Sequence, residues 1–182
     1  MMALIIGGSG SGKSEYAENL AVSLGEGIRL YLATMKPWDE ECKTRILRHK
    51  KMREKKQFET AECYRSLKKL VIKKKPKTIL LECMSNLVSN ELFGLWEKGD
   101  VPVLNGNSAI KEILEGIQCI KNQTEHLIVV TNDVFSDGDF YSRETKEYIR
   151  VLGELNQAVS GMSDLVVEVV AGIPIKVKEG TN

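Results

Sequence analysis

The chain has 182 residues, 42% hydrophobic and 28% charged, which is material for one α/β domain with a real core and too little for two. Its net charge of +1 conceals an asymmetry: residues 43–77 carry fifteen Lys/Arg against Glu54, Glu59 and Glu62, leaving eleven basic and twenty-two acidic residues elsewhere. No apolar stretch approaches the roughly 18 residues of a membrane span, and Cys42, Cys63, Cys83 and Cys119 form no C-x-x-C pair, so a membrane protein, a zinc site and a disulfide framework are all disfavoured.

In chain order, Met1 leads directly into an apolar run at residues 3–6, which predicts a core strand with no targeting segment before it and hence a cytoplasmic protein with reduced thiols. Further β-branched, apolar runs predict buried strands at residues 28–33, 78–83 and 126–131. Helical spacing or composition predicts helices at residues 13–24, 40–56, 63–74, 86–96, 108–122 and 142–159. Residues 99–106 and 132–140 read as long loops, and residues 164–171 and 173–178, split by Gly172, read as an antiparallel hairpin. The alternation predicts an α/β fold over residues 1–182: a single domain with a mostly parallel sheet, helices on both faces and a C-terminal hairpin.

The first strand runs into Gly7-Gly8-Ser9-Gly10-Ser11-Gly12-Lys13-Ser14, a complete G-x-x-x-x-G-K-[ST] phosphate loop. In that setting successive backbone N–H groups cradle a β-phosphate, Lys13 bridges β- and γ-phosphates, and the Ser14 hydroxyl ligates Mg²⁺. A merely Gly/Ser-rich turn with a solvated Lys13 is disfavoured, because strand, spacing, Lys and Ser all agree. Such a loop also needs a carboxylate at a neighbouring strand end to hold Mg²⁺, and Glu82 and Asp133 are the two candidates. Glu82 is preferred, since a Glu at the tip of an apolar strand needs a partner there.

In the basic segment, Arg45, His49 and Arg53 recur at four-residue spacing and would share one helix face. Cationic neighbours lower the pKa of an imidazole, which keeps it neutral and able to attack phosphorus. The bland alternative is a solvated surface helix. His126, which opens a strand, reads as structural.

Other blocks lie around these. Ala17-Glu18 follows the phosphate loop; Tyr31-Leu32-Ala33-Thr34, Asp39-Glu40-Glu41 and Arg45-Ile46-Leu47-Arg48-His49-Lys50-Lys51-Met52-Arg53 come next. Thr60-Ala61-Glu62, Leu80-Leu81-Glu82-Cys83, Val88 to Phe93, Val130-Thr131-Asn132, Gly153 to Gln157 and Gly172-Ile173-Pro174 complete the series. With them the chain resembles, nearly end to end, the bifunctional adenosylcobinamide kinase / adenosylcobinamide-phosphate guanylyltransferases of cobalamin biosynthesis. The resemblance implies a RecA-like P-loop NTPase fold, a homotrimer, GTP and ATP as substrates with Mg²⁺, a corrinoid acceptor and no nucleic-acid partner. It implies phosphorylation of the aminopropanol arm of adenosylcobinamide, and transfer of GMP from GTP through a guanylylated His49 to adenosylcobinamide phosphate. Gly7 to Ser14, Ala33, Thr34, Met35, Lys50, Lys51, Met52, Arg53, Glu62 and Glu82 are implied nucleotide contacts.

The chain departs from the family pattern in three places. Glu54 replaces the usual Pro after the motif Arg, and Phe58 stands for a Trp with one extra residue of spacing. Asp133 to Phe140 differs from the usual loop, and Ile149-Arg150 replaces an Arg-Asp pair. Two alternatives within nucleotide chemistry are therefore a single-activity guanylyltransferase and a P-loop kinase of another small molecule. A third, a nucleotide-gated nucleic-acid-binding protein using residues 43–77, is opposed by the scarcity of aromatics among the basic residues.

Overall fold

Seven strands form one sheet in the order β3-β2-β4-β5-β1-β6-β7: β1 (Met2–Gly7), β2 (Arg29–Ala33), β3 (Phe58–Glu62), β4 (Thr78–Glu82), β5 (His126–Asn132), β6 (Leu165–Val170) and β7 (Ile173–Glu179). The pairings from β3 across to β6 are parallel, and β7 returns antiparallel to β6 as the C-terminal hairpin. The computed structural model describes residues 1–37, 39–94, 104–134 and 141–180, and at Glu41, Arg45, Arg48, His49 and Met52 the backbone alone. The predicted helix end at Trp96 and most of the two predicted long loops (95–103 and 135–140) lie outside the described residues.

Side chains alternate across a strand, so the continuous apolar runs supply two faces. Met2, Leu4, Leu32, Ile79, Leu81, Leu127 and Val129 pack beneath α3 (Met84–Phe93), α4 (Gly106–Lys121) and α5 (Arg143–Met162). Ala3, Ile5, Tyr31, Leu80, Ile128, Val130 and Val167 face α1 (Lys13–Ser23), which presents Ala17 and Ala21 to them. Each buried Leu or Ile removed from water stabilises the fold by about 1.5–3 kcal/mol. Helix starts are fixed by side-chain caps: Asp39 accepts from the Cys42 N–H at 2.7 Å at the start of α2 (Glu40–Arg53), and Asn105 accepts from the Ser108 N–H at 3.0 Å at α4. No helix among the described residues is long and apolar enough to cross a membrane.

Two predictions are corrected. Residues 63–74 do not form a helix; they contain only a 3₁₀ turn at Leu67–Lys69. Buried Glu91 on α3 accepts from the Ser66 N–H at 2.7 Å and from Arg65 Nε at 3.2 Å, and Ser66 adopts φ 54°. That left-handed residue ends any helical continuation, and Lys73-Lys74-Lys75 would add like-charge repulsion to one. The second correction is β3, an edge strand with mostly exposed side chains, which carries no apolar run to announce it.

Leu67 is held by Gly116 of α4, where an added Cβ would stand 2.5 Å from the Leu67 Cβ and 3.2 Å from the Lys68 backbone nitrogen. Gly116→Val is expected to push the 3₁₀ turn off α4 and cost about 1–3 kcal/mol. A lowered urea midpoint with an unchanged slope checks this.

Candidate active site

Parallel pairing brings the C-terminal ends of the inner strands to one edge. Gly7 lies opposite Asn132, and Ala33 lies between Glu62 on β3 and Glu82 on β4. The phosphate loop crosses this edge between β1 and α1. Gly10 and Gly12 have φ values of 73° and 92°, which a side chain would strain. The β6–β7 turn braces the loop from below: the Gly172 N–H donates to the Ser11 carbonyl at 2.8 Å, and a Cβ on Gly12 would meet Gly172 Cα at 3.3 Å. Gly7 is equally confined, since a Cβ there would lie 2.6 Å from the Val169 carbonyl.

Within the loop, Lys13 Nζ donates to the Gly8 carbonyl at 2.9 Å. The Ser14 hydroxyl donates to Glu82 Oε1 in a short hydrogen bond. Of the two strand-end carboxylates the sequence offers, Glu82 is the one in contact with Ser14. Asp133 follows β5, with its N–H bonded to the Gly7 carbonyl at 3.2 Å.

Burial pushes the Glu82 carboxyl above its usual range, against the opposing hydrogen bond from Ser14 and the charges of Arg53 and Lys13. Tyr31 also hydrogen-bonds Glu82, and its own hydroxyl is raised by burial and by that carboxylate. The Arg53 guanidinium lies 3.4 Å above the Tyr31 ring centroid, a cation–π contact made in a buried setting.

A cavity of about 280 Å³ opens over the loop. Its lining joins three regions: the phosphate loop from Ser9 through Ser14; the strand ends with Ala33, Met35, Thr60, Glu62 and Glu82; and Ile46, Lys50 and Arg53 of α2. Residues 46, 50 and 53 recur at helical spacing, and the His49 backbone lies in the same turn, while the side chains of His49 and Met52 lie outside the described residues. Lys51 is exposed.

Thr34 is spent elsewhere: fully buried, its hydroxyl donates to the Cys83 carbonyl at 2.8 Å and accepts from the Cys83 N–H at 2.7 Å, which clips β2 to the end of β4. His126 sits at the opposite sheet edge, paired with Thr78 at the start of β4, and burial lowers its imidazole pKa.

Sequence reasoning missed Tyr31, Asn86 and Asn132 as lining residues, and Glu18 beside them. Tyr31 was marked by being the aromatic of an otherwise aliphatic strand. Glu18 was marked by its place four residues after Ser14 on the helix face of buried Ala17 and Ala21.

The model of the family described as cobinamide kinase / cobinamide phosphate guanyltransferase matches residues 3–177. A bifunctional adenosylcobalamin biosynthesis protein CobU of Salmonella typhimurium is 33% identical, over 98% of this chain and 100% of its own. That of Escherichia coli K12 is 30% identical over the same shares, and the CobP protein of Pseudomonas aeruginosa is 28% identical over 98% of both chains. A phosphate loop alone is common to many enzymes, but a match that also takes in α2, β3 and the C-terminal hairpin is not, and this chain belongs to the cobinamide kinase / cobinamide phosphate guanyltransferase family.

Proposed function

We propose that the protein is a bifunctional enzyme of cobalamin biosynthesis that carries out both transfers around this one cavity. It phosphorylates the hydroxyl of the aminopropanol arm of adenosylcobinamide from a nucleoside triphosphate. It then moves GMP from GTP to adenosylcobinamide phosphate, giving adenosylcobinamide-GDP and pyrophosphate. The observation that carries the reading is the shared lining: phosphate-loop residues and the α2 residues Ile46, Lys50 and Arg53 face the same space.

In the phosphoryl step Lys13 and the loop N–H groups hold the β- and γ-phosphates of ATP or GTP while the acceptor oxygen attacks the γ-phosphorus. In the nucleotidyl step a neutral His49 nitrogen attacks the α-phosphorus of GTP. The P–N bond forms as the bond to the β-phosphate oxygen breaks, and pyrophosphate leaves with the electron pair. An oxygen of the corrinoid phosphate then attacks the same phosphorus, and His49 is released.

Ser14 and Glu82 are hard oxygen donors in mutual contact, a set that suits Mg²⁺, which takes few protein ligands and keeps water and phosphate for the rest. Bound there, it would neutralise triphosphate oxygens. Glu62 accepts from the Tyr64 hydroxyl at 2.7 Å at the cavity rim, and its carboxylate offers paired acceptors to the N1–H and N2–H donors of guanine, which adenine lacks. The enzyme works in the cytoplasm as a homotrimer; the exposed Ile173, Ile175 and Val177 on edge strand β7 supply an apolar surface for association.

Intact mass after incubation with GTP and Mg²⁺ tests the nucleotidyl step. Wild type is expected to gain one acid-labile GMP and His49→Ala none; a protein that binds GTP yet gains no adduct would overturn the histidine route. Lys13→Ala is expected to lower kcat of both transfers by about 10²- to 10³-fold, read in steady-state assays. Glu62→Gln is expected to remove about 1–3 kcal/mol of preference for GTP over ATP in the adduct-forming step, read from competition between the two nucleotides.

A further inference from the structure

Glu18 stands on α1, one turn beyond Ser14, and its side chain is fully buried. A carboxylate so placed requires ionic partners, and both come from the far end of the helix that carries His49. Lys56, in the 3₁₀ turn Glu54–Lys56 that follows α2, donates to Glu18 Oε2 at 2.8 Å. Arg53 Nη1 faces Glu18 Oε1 at 4.0 Å, and both of those atoms are buried without another hydrogen-bond partner.

What makes these contacts decisive is the poverty of the rest of α2. Among its described side chains Arg53 alone is buried; Ile46 and Cys42 are half-exposed, and Leu47 is 66% exposed. An ordinary surface helix is held by an apolar stripe, and the described part of α2 offers none. Its last turn is held instead by the Glu18 ion pairs and by the stack of Arg53 on Tyr31. His49 lies four residues before Arg53, about 6 Å along the axis, so whatever fixes Arg53 and Lys56 also fixes where the turn containing His49 meets the phosphate loop.

We infer that Glu18 is a positioning residue for the nucleotidyl half-reaction: by pairing with Lys56 and Arg53 it ties the histidine helix to the helix of the phosphate loop. The inference rests on the reading of His49 as the nucleophile. Glu18 touches neither substrate nor reacting atom in this role, so its loss separates the chemical step from nucleotide binding.

The test is rapid-quench intact mass of the full-length protein, giving the first-order rate of GMP-adduct formation at saturating GTP, beside a direct GTP Kd and phosphoryl transfer from ATP to the corrinoid. Glu18→Gln keeps the size and removes the charge. It is expected to slow adduct formation by about ten- to a hundredfold while the GTP Kd and the phosphoryl transfer stay within about threefold of wild type. Lys56→Met is expected to act in the same direction, and the double variant to be no slower than Glu18→Gln, because the pair is already broken.

An adduct rate for Glu18→Gln within about twofold of wild type, a loss confined to Kd, or multiplicative effects in the double variant would each overturn the inference. Should Glu18→Gln fail to fold, Lys56→Met, whose side chain is 20% exposed, carries the same comparison. Wild type and His49→Ala run alongside. No adduct on wild type removes the histidine reading and this inference with it, whereas a normal adduct on Glu18→Gln removes this inference alone.

Discussion

A carboxylate at the buried end of a central strand must be met by charge or hydrogen bonds, and the site is arranged around that demand at Glu82. Ser14 and Lys13 reach it from the phosphate loop and first helix, Tyr31 from the adjacent strand, and Arg53 from the end of α2. Elements far apart in sequence are thereby held to one atom group. The same demand repeats one helical turn along α1, where Glu18 takes Lys56 and faces Arg53. Arg53 serves both carboxylates and covers the ring of Tyr31 between them. The phosphate loop is fixed from its other side by backbone alone, through Gly172 and the Ser11 carbonyl, so the hairpin that ends the chain also shapes the loop near its start.

Much of the fold was legible because buried parallel strands are continuous apolar runs. β4 and β5 appear in the sequence as Thr78-Ile79-Leu80-Leu81-Glu82 and His126-Leu127-Ile128-Val129-Val130-Thr131-Asn132, and they could be placed nearly to the residue. β3 could not, since Phe58-Glu59-Thr60-Ala61-Glu62 lies at the sheet edge and most of it faces water. The false helix at residues 63–74 has a related cause. Its leucines and lysines are compatible with a helix, and the feature that forbids one, the claim of Glu91 on Arg65 and Ser66, arrives from 25 and 26 residues away.

The site divides in the same manner. A phosphate loop is a local device, complete within eight residues, and its geometry follows from its own glycines and their neighbours. Thr34 shows the limit of reading a motif as a list of contacts: its side chain holds Cys83 in place and so helps to set the tip of β4, while Ala33 and Met35 on either side line the cavity. Glu18 and Lys56 are separated by 38 residues, and nothing in either local sequence names the other. Tyr31 and Glu82 likewise meet only once β2 and β4 are neighbours.

Burial sorts the basic segment into two populations with different work. Arg53 and Lys56 are withdrawn from water into pairs with Glu18 and Glu82, where screening is weak and each charge has a fixed neighbour. They act as structure. Lys50, Lys51 and Lys55 stay exposed on or just beyond α2, with Lys50 at the cavity. Charges so placed act on anions over about a Debye length, ~10 Å at moderate salt, and raise the local concentration of a triphosphate at the mouth of the cleft. A bare cluster of buried cations would itself oppose folding, and two buried carboxylates remove that cost without lowering the positive field at the rim. The composition of residues 43–77 reads the same whether its lysines are paired inside or solvated outside; only the position of Glu18 and Glu82 beneath them decides which are which.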